Sequence, residues 1–181
     1  GDVPQGSALE KKKDLVDALA HLDEVGSLLA PDGADLAAIR EAMELTGADG
    51  LFGSSSKEKL QRALETCETL ARRHDCVVAN PPYMGSSSFG PFMSKWVKKN
   101  YPDVKSDLCT CFIERGFSLA KDRGYEAMIT ASSWMFISSF EAMRKRIVSD
   151  KKICSLIQQS THGYAGVTVP TCMFVIESGD T

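Results

Sequence analysis

The chain has 181 residues, 43% of them hydrophobic and 25% charged, enough for one ordinary domain with its own core. No apolar run reaches the roughly 20 residues of a membrane-spanning helix, and Gly1 to Glu10 lacks the basic-then-apolar layout of a signal peptide, so a soluble cytoplasmic protein with no membrane partner is expected. A net charge of -3 argues against a surface built wholly to hold nucleic acid, though it leaves room for a local basic groove.

The first seventy-odd residues read as helices. Leu15, Val16, Leu19, Leu22 and Val25 recur at three- and four-residue spacing and mark one helical face. A break follows at Pro31-Asp32-Gly33. Leu36, Ile39 and Met43 suggest a second, shorter helix, and Thr46 to Ser56, with Gly47, Gly50 and Gly53, reads as a loop. Ser55 followed by Glu58 is a capping-box pattern that would open a third helix, with Leu60, Leu64, Cys67 and Leu70 on its apolar face. The run Lys11 to Lys13 reads as a solvated face.

From Asp75 the pattern changes. Cys76-Val77-Val78-Ala79 is a short apolar run without alternation, the mark of a strand buried on both faces. Helical spacing returns in Phe92, Met93, Trp96 and Val97, and again in Leu108, Phe112, Ile113 and Leu119. Gly124 is expected to end that helix, and Tyr125 to Ala131 to form a second buried strand. Phe140, Met143 and Ile147 suggest another helix; Ile153 to Ile157 and Cys172 to Ile176 suggest two more strands. Strand, helix, strand, helix, strand implies an α/β fold with a largely parallel sheet. The final pair, joined through Gly163, Gly166 and Pro170, also fits an antiparallel hairpin. The expected organisation is a helical segment over 1–72 and an α/β part over 73–181.

The six cysteines are Cys67, Cys76, Cys109, Cys111, Cys154 and Cys172. None forms a C-x-x-C pair and only three histidines accompany them, so no metal site is expected. Most sit in apolar stretches and read as buried reduced thiols.

The sharpest signal is Asn80-Pro81-Pro82-Tyr83, at the carboxyl end of the first expected strand. In open α/β sheets, ligands bind in the crevice outside those strand ends. The Asn80 side-chain carbonyl can accept a hydrogen bond from an amino group, and the Pro81 carbonyl can accept a second. Two prolines remove backbone donors and stiffen the loop, while Tyr83 offers a flat face to a planar ring. An amino nitrogen held through both hydrogens directs its lone pair at an electrophile, such as the methyl group of a sulfonium cofactor. Positioning does most of that work. Taken alone, N-P-P is also a plain turn after a strand.

Val77 to Gly85 resembles the catalytic motif of amino-group DNA methyltransferases with an N-P-P-Y signature. The likeness continues in Lys98-Lys99-Asn100-Tyr101-Pro102, Ser106-Asp107-Leu108, Phe112 to Gly116, Gly124-Tyr125, Ala127 to Thr130 and Ser133 to Phe136. Together, over roughly 70 to 177, these are similar to the adenine methyltransferases of the BREX phage-defence system (the PglX type) and related restriction-modification enzymes. The resemblance implies a partial Rossmann-like fold, the carboxyl-terminal half of the sheet of an S-adenosylmethionine-dependent methyltransferase, and action on N6 of an adenine flipped out of DNA. Asn80 and Pro81 would bind the amino group, with Pro82 stiffening the loop, and Tyr83 would stack on the base. Asp107 and Leu108 would border the cofactor and target pockets, although Asp107 equally suits a helix cap. Tyr164 would be a second stacking wall, and it also reads as a surface-loop aromatic.

In the resembling family a strand with a glycine-rich turn for the cofactor precedes N-P-P-Y. Here that region is helical, and Gly47, Gly50 and Gly53 follow a helix and lack the G-x-G core. The chain, which opens on Gly rather than Met, is therefore expected to be a piece beginning after the cofactor motif of a longer enzyme, with negligible methyl transfer of its own. It would expose a strand edge and either form a homo-oligomer through it or cover it with the amino-terminal helices. Its other partners would be DNA and the remainder of the enzyme. Lys95, Lys98 and Lys99, or the stretch Arg144, Lys145, Arg146, Lys151 and Lys152, would meet phosphates, or else are solvated helix faces. Two other readings stay open. One is N5-methylation of a protein glutamine, as in release-factor methyltransferases, which share N-P-P-Y; the other is a non-catalytic scaffold or interaction module.

Overall fold

The computed structural model describes residues 3–46, 53–159 and 169–179. They fall into two compact units, Gly1–Arg72 and Arg73–Thr181, and each is taken by itself.

The first unit is helical: α1 (Ala8–Lys11), α2 (Lys13–Ala20), α3 (Leu22–Val25), α4 (Gly33–Thr46) and α5 (Gly53–Ala71). The single helical face expected from Leu15 to Val25 is interrupted. Backbone at His21 leaves helical angles (φ −118°, ψ 37°), and Gly26 takes φ 51°, a left-handed value that a side chain would strain. Periodicity survives these kinks because Leu15, Ala18 and Val25 still face one core, with Leu28, Ile39, Ala42, Leu60 and Cys67. The start of α4 is fixed by two aspartates. Asp35 N–H donates to the Asp32 carboxylate at 2.7 Å and Asp32 N–H to Asp35 at 3.2 Å, an arrangement of the capping-box kind. Asp35 also pairs with Lys12 at 2.7 Å, so the lysine run is not wholly a solvated face. Helix α5 opens at Gly53, which puts Ser55 inside it rather than at its cap. Gly47 and Gly50 lie outside the described residues.

The second unit runs β1 (His74–Ala79), α6 (Pro91–Asn100), α7 (Leu108–Leu119), β2 (Ala120–Ala131), α8 (Glu141–Asp150), β3 (Lys152–Gln158) and β4 (Thr171–Glu177). The order across the sheet is β1-β2-β4-β3. Only the β1–β2 ladder is parallel; β4 is antiparallel to both β2 and β3. The sheet is therefore less parallel than the alternation of elements implied, because β4 inserts between β2 and β3 and reverses both ladders. The expected antiparallel pairing of the last two strands is present.

Two boundaries also move. Helix α7 stops at Leu119, and Gly124 sits inside β2, where the register to β1 shifts between His74 and Cys76. A Cβ at Gly124 would stand 3.0 Å from the His74 carbonyl oxygen, so glycine is needed for close strand approach. Strand β1, expected to be buried on both faces, is an edge strand whose partner among the described residues is β2; Val78 is 78% exposed. Strand β3, at the other edge, is exposed throughout. The core of this unit lies on the side where α7 packs on β2, and it holds Met128, Thr130, Phe174 and Ile176. No described helix is long and apolar enough to cross a membrane.

Candidate active site

Strands β1 and β2 run in parallel, with Ala79 opposite Met128, so the loops that follow them leave the same end of the sheet. Asn80 is exposed, Pro81 is buried and Pro82 is exposed. The buried ring anchors the loop while the carboxamide before it faces outward. Tyr83 is 39% exposed. Its hydroxyl lies 3.3 Å from the Ile129 carbonyl and 3.4 Å from Asn80 Oδ1. Burial pushes the Tyr83 hydroxyl above its ordinary value of 10, so at neutral pH it is a donor.

The loop beyond Tyr83 is pinned to the start of α7. Ser86 N–H donates to the Ser106 carbonyl and Leu108 N–H to the Met84 carbonyl, both at 2.9 Å, and Gly85 bridges Asp107. Asp107 caps α7: its Oδ1 accepts from Cys109 N–H at 2.9 Å. The Thr110 hydroxyl, fully buried, lies 2.8 Å from the Val104 carbonyl and 2.7 Å from that of Asp107. The resemblance put Asp107 and Leu108 at the border of the cofactor and target pockets; the structure joins this segment to the loop through backbone atoms. The Leu108 side chain is buried, 6% exposed. Cys109 and Cys111 lie beneath, and burial drives both thiols up, Cys111 to about 12, so neither is a nucleophile at neutral pH.

The loop after β2 leaves the same end of the sheet. The Trp134 indole donates to the Thr130 hydroxyl at 3.0 Å, and that hydroxyl lies 3.3 Å from Cys172 Sγ. Arg144, on α8, donates to the Trp134 and Ile137 carbonyls at 2.8 and 2.6 Å. Held in this way, the loop presents Phe136, 66% exposed, and Ile137, 48% exposed. Sequence reasoning quoted the Trp134 stretch without giving it a role, and nothing local marks Arg144 as different from Lys145.

The basic residues divide. Arg144 clamps the loop; Lys145 pairs with Glu141 at 2.7 Å; Arg146 pairs with Asp103 and Glu114 at 2.7 and 2.8 Å. Lys151 donates to the Ser178 carbonyl at 3.0 Å, and Lys152 reaches Glu177 at 3.3 Å. That stretch is engaged within the unit. Lys95, Lys98 and Lys99 are exposed on α6, which precedes the Ser106–Leu108 anchor of the loop. Tyr164 lies outside the described residues.

Among the described residues no group of three or more His, Cys, Asp or Glu is placed to hold a metal ion. Strand β1 leads into Asn80-Pro81-Pro82 and β2 into Ser132-Ser133-Trp134, neither of them glycine-rich, while Gly163 and Gly166 after β3 lie outside the described residues. The Asp107 carboxylate is turned into its own helix. At the end of β1 the described residues bring together an exposed carboxamide, a proline-stiffened turn and an aromatic ring, groups able to meet a planar amino-bearing molecule.

Three relatives share this sequence. The adenine-specific methyltransferase BrxX of Escherichia coli O9:H4 (strain HS) is 32% identical over 161 residues, covering 85% of this chain and 13% of its own length. The adenine-specific methyltransferase PglX of Lacticaseibacillus casei (strain Zhang) is 38% identical over 122 residues, covering 66% and 10%. The type II restriction enzyme and methyltransferase RM.Eco57I of Escherichia coli is 27% identical over 139 residues, covering 70% and 14%. The chain thus spans a small part of the length of each relative. Residues 36–163 match the Eco57I restriction-modification methylase family, and the chain belongs to that family.

Proposed function

We propose that this chain supplies the target-base side of an adenine-specific DNA methyltransferase, in a protein that methylates N6 of a flipped adenine for phage defence or restriction-modification. The observation that carries the reading is the outward-facing Asn80 carboxamide beside the Tyr83 ring, on a loop pinned at both ends. Asn80 Oδ1 and the Pro81 carbonyl accept the two amino hydrogens of the base, which points the nitrogen lone pair outward. Tyr83 covers one face of the ring, and Pro82 limits the motion of the pair. Preorganised acceptors of this kind act by fixing geometry before reaction. S-adenosylmethionine is the methyl donor that family membership implies. Asp107 and Leu108 are assigned to the border of its pocket, and no step of the donor is assigned to this chain.

Lys98 and Lys99, with Lys95 on the same helix, are assigned to the phosphates that flank the target. DNA and the remainder of the full-length protein are its proposed partners. The outer edge of β1 is assigned to strand pairing, with that remainder or with a second copy.

The test uses the full-length protein that carries this chain, with labelled S-adenosylmethionine and genomic DNA from a host that lacks the system. Label is expected in N6-methyladenine of the DNA and not in protein, and it should fall by at least about a hundredfold in Asn80→Ala. Label on protein glutamine, or DNA methylation unaltered by Asn80→Ala, would refute the reading.

A further inference from the structure

Without substrate, the Asn80 acceptor already has a neighbour. The Tyr83 hydroxyl stands 3.4 Å from Asn80 Oδ1 and 3.3 Å from the Ile129 carbonyl. The second contact extends the join between β1 and β2. Their ladder ends at Ala79 opposite Met128, and Ile129 is the next residue along β2. A phenol has one hydrogen to give and here faces two acceptors. Both contacts are longer than a strong O–H···O bond of about 2.7–2.8 Å, so each is weak and shared. The hydroxyl therefore already engages the oxygen that an amino hydrogen would approach, and it does so with a hold that a better donor can displace. Elsewhere the loop is firmly fixed, by two 2.9 Å backbone bonds to Ser106 and Leu108. Tyr83 is the group on it that bonds to the acceptor itself.

We propose that the Tyr83 hydroxyl is a latch: it caps the Asn80 carboxamide oxygen in the base-free state and yields it when the target amino group arrives. This rests on the function proposed above and adds a cost to base capture that the stacking role of the ring does not contain. With the latch closed, Asn80 Oδ1 has a partner and the carboxamide is held in one orientation. When the base enters, the Asn80–hydroxyl contact is exchanged for an Asn80–amino contact and the hydroxyl keeps Ile129. Capture is thus a swap of donors rather than the filling of an empty acceptor. The latch also disfavours ligands that lack an amino donor, because they would break the contact without replacing it.

The experiment uses the full-length protein and a duplex with 2-aminopurine next to the adenine found to be methylated, where fluorescence rises as the target adenine leaves the stack. Tyr83→Phe keeps the ring and removes the latch. It is expected to tighten capture, read as a dissociation constant and a KM for DNA about two- to fivefold lower, the low end of what a weak hydrogen bond contributes. Replacing Tyr83 with 3-fluorotyrosine makes the hydroxyl a stronger donor and is expected to weaken capture. This arm still decides the matter if Tyr83→Phe fails to fold. Opposite shifts in the two proteins support the latch; equal capture in both and in the unmodified protein, or weaker capture in Tyr83→Phe, overturns it. Asn80→Ala separates the two ideas. If it abolishes methylation while the Tyr83 variants leave capture unmoved, the latch falls and the target-base reading stands; if Asn80→Ala methylates normally, the target-base reading itself falls.

Discussion

Glu126 on β2 is fully buried against the backbone of Gly116 on α7: a Cβ at Gly116 would stand 2.6 Å from the Glu126 carboxyl carbon and 2.7 Å from one of its oxygens. Neither carboxyl oxygen has a hydrogen-bond partner among the described residues. Burial holds this carboxyl well above its ordinary value of 4.5, with Glu114 adding to the rise and Lys151 opposing it. A group with a raised value in the fold binds its proton more tightly there. Its contribution to stability is full below about 4.5 and is lost as pH climbs through the folded value.

Glu126→Gln keeps the shape and never ionises. It is expected to match the wild type near pH 4 and to exceed it by about 1–3 kcal/mol near pH 8, measured by urea unfolding at a series of pH values. Curves that stay parallel across the range would mean that water or a cation reaches the carboxyl. Gly116→Ala, by contrast, is expected to lose about 1–3 kcal/mol at every pH, because the added methyl overlaps Glu126 and Met128.

The Asp107 cap gives a second expectation. Asp107→Ala should cost about 1 kcal/mol, and Asp107→Asn should recover most of it, since asparagine caps as well as aspartate. If the only role of Asp107 is to fix the α7 terminus and the loop pinned to it, the same order holds for methylation by the full-length protein. Activity lost equally in Asn and Ala would show that the carboxylate itself is required.

Arg144 tests the rigidity of the loop after β2. Its guanidinium makes two short bonds to carbonyls of one loop, and bonds from a charged donor contribute about 1.5–3 kcal/mol. Arg144→Ala should lower stability by that order and speed proteolysis between Ser132 and Phe140. Arg144→Lys, with a point charge instead of a fork, should recover only part. An intact loop in Arg144→Ala would show that the loop's other bonds suffice to hold it.

Salt dependence separates the lysines. If Lys98 meets a phosphate, Lys98→Ala in the full-length protein should lower the slope of log affinity against log salt by about 1. Lys145→Ala should leave that slope unchanged, because Lys145 is paired with Glu141. Equal effects of the two would place the DNA elsewhere.

Most of this site was legible as a string. Asn80-Pro81-Pro82-Tyr83 after a short apolar run announces a strand end with two acceptors and a ring, because backbone acceptors, proline stiffness and aromatic faces are properties of the residues themselves. The elements of the second unit were likewise readable from spacing, and Asp107 from its place before an apolar periodic run. Burial misled where it depends on neighbours. Val77 and Val78 look like a doubly buried strand, yet Val78 is 78% exposed among the described residues, since an apolar run records what a strand prefers and not what covers it. Gly124 looked like a helix stop and serves a close approach between strands.

The sequence alone determined the chemistry on offer: which side chains can accept a hydrogen bond and which carry a flat ring. Tertiary structure decided which of them meet. Ile129 reaches the Tyr83 hydroxyl from 46 residues away, and Arg144 closes the loop that holds Trp134. The basic stretch around it is consumed by Asp103, Glu114, Glu141 and Glu177. Such pairings depend on the sheet order β1-β2-β4-β3, and that order arises from how the faces of all four strands are buried together, a property no single segment carries.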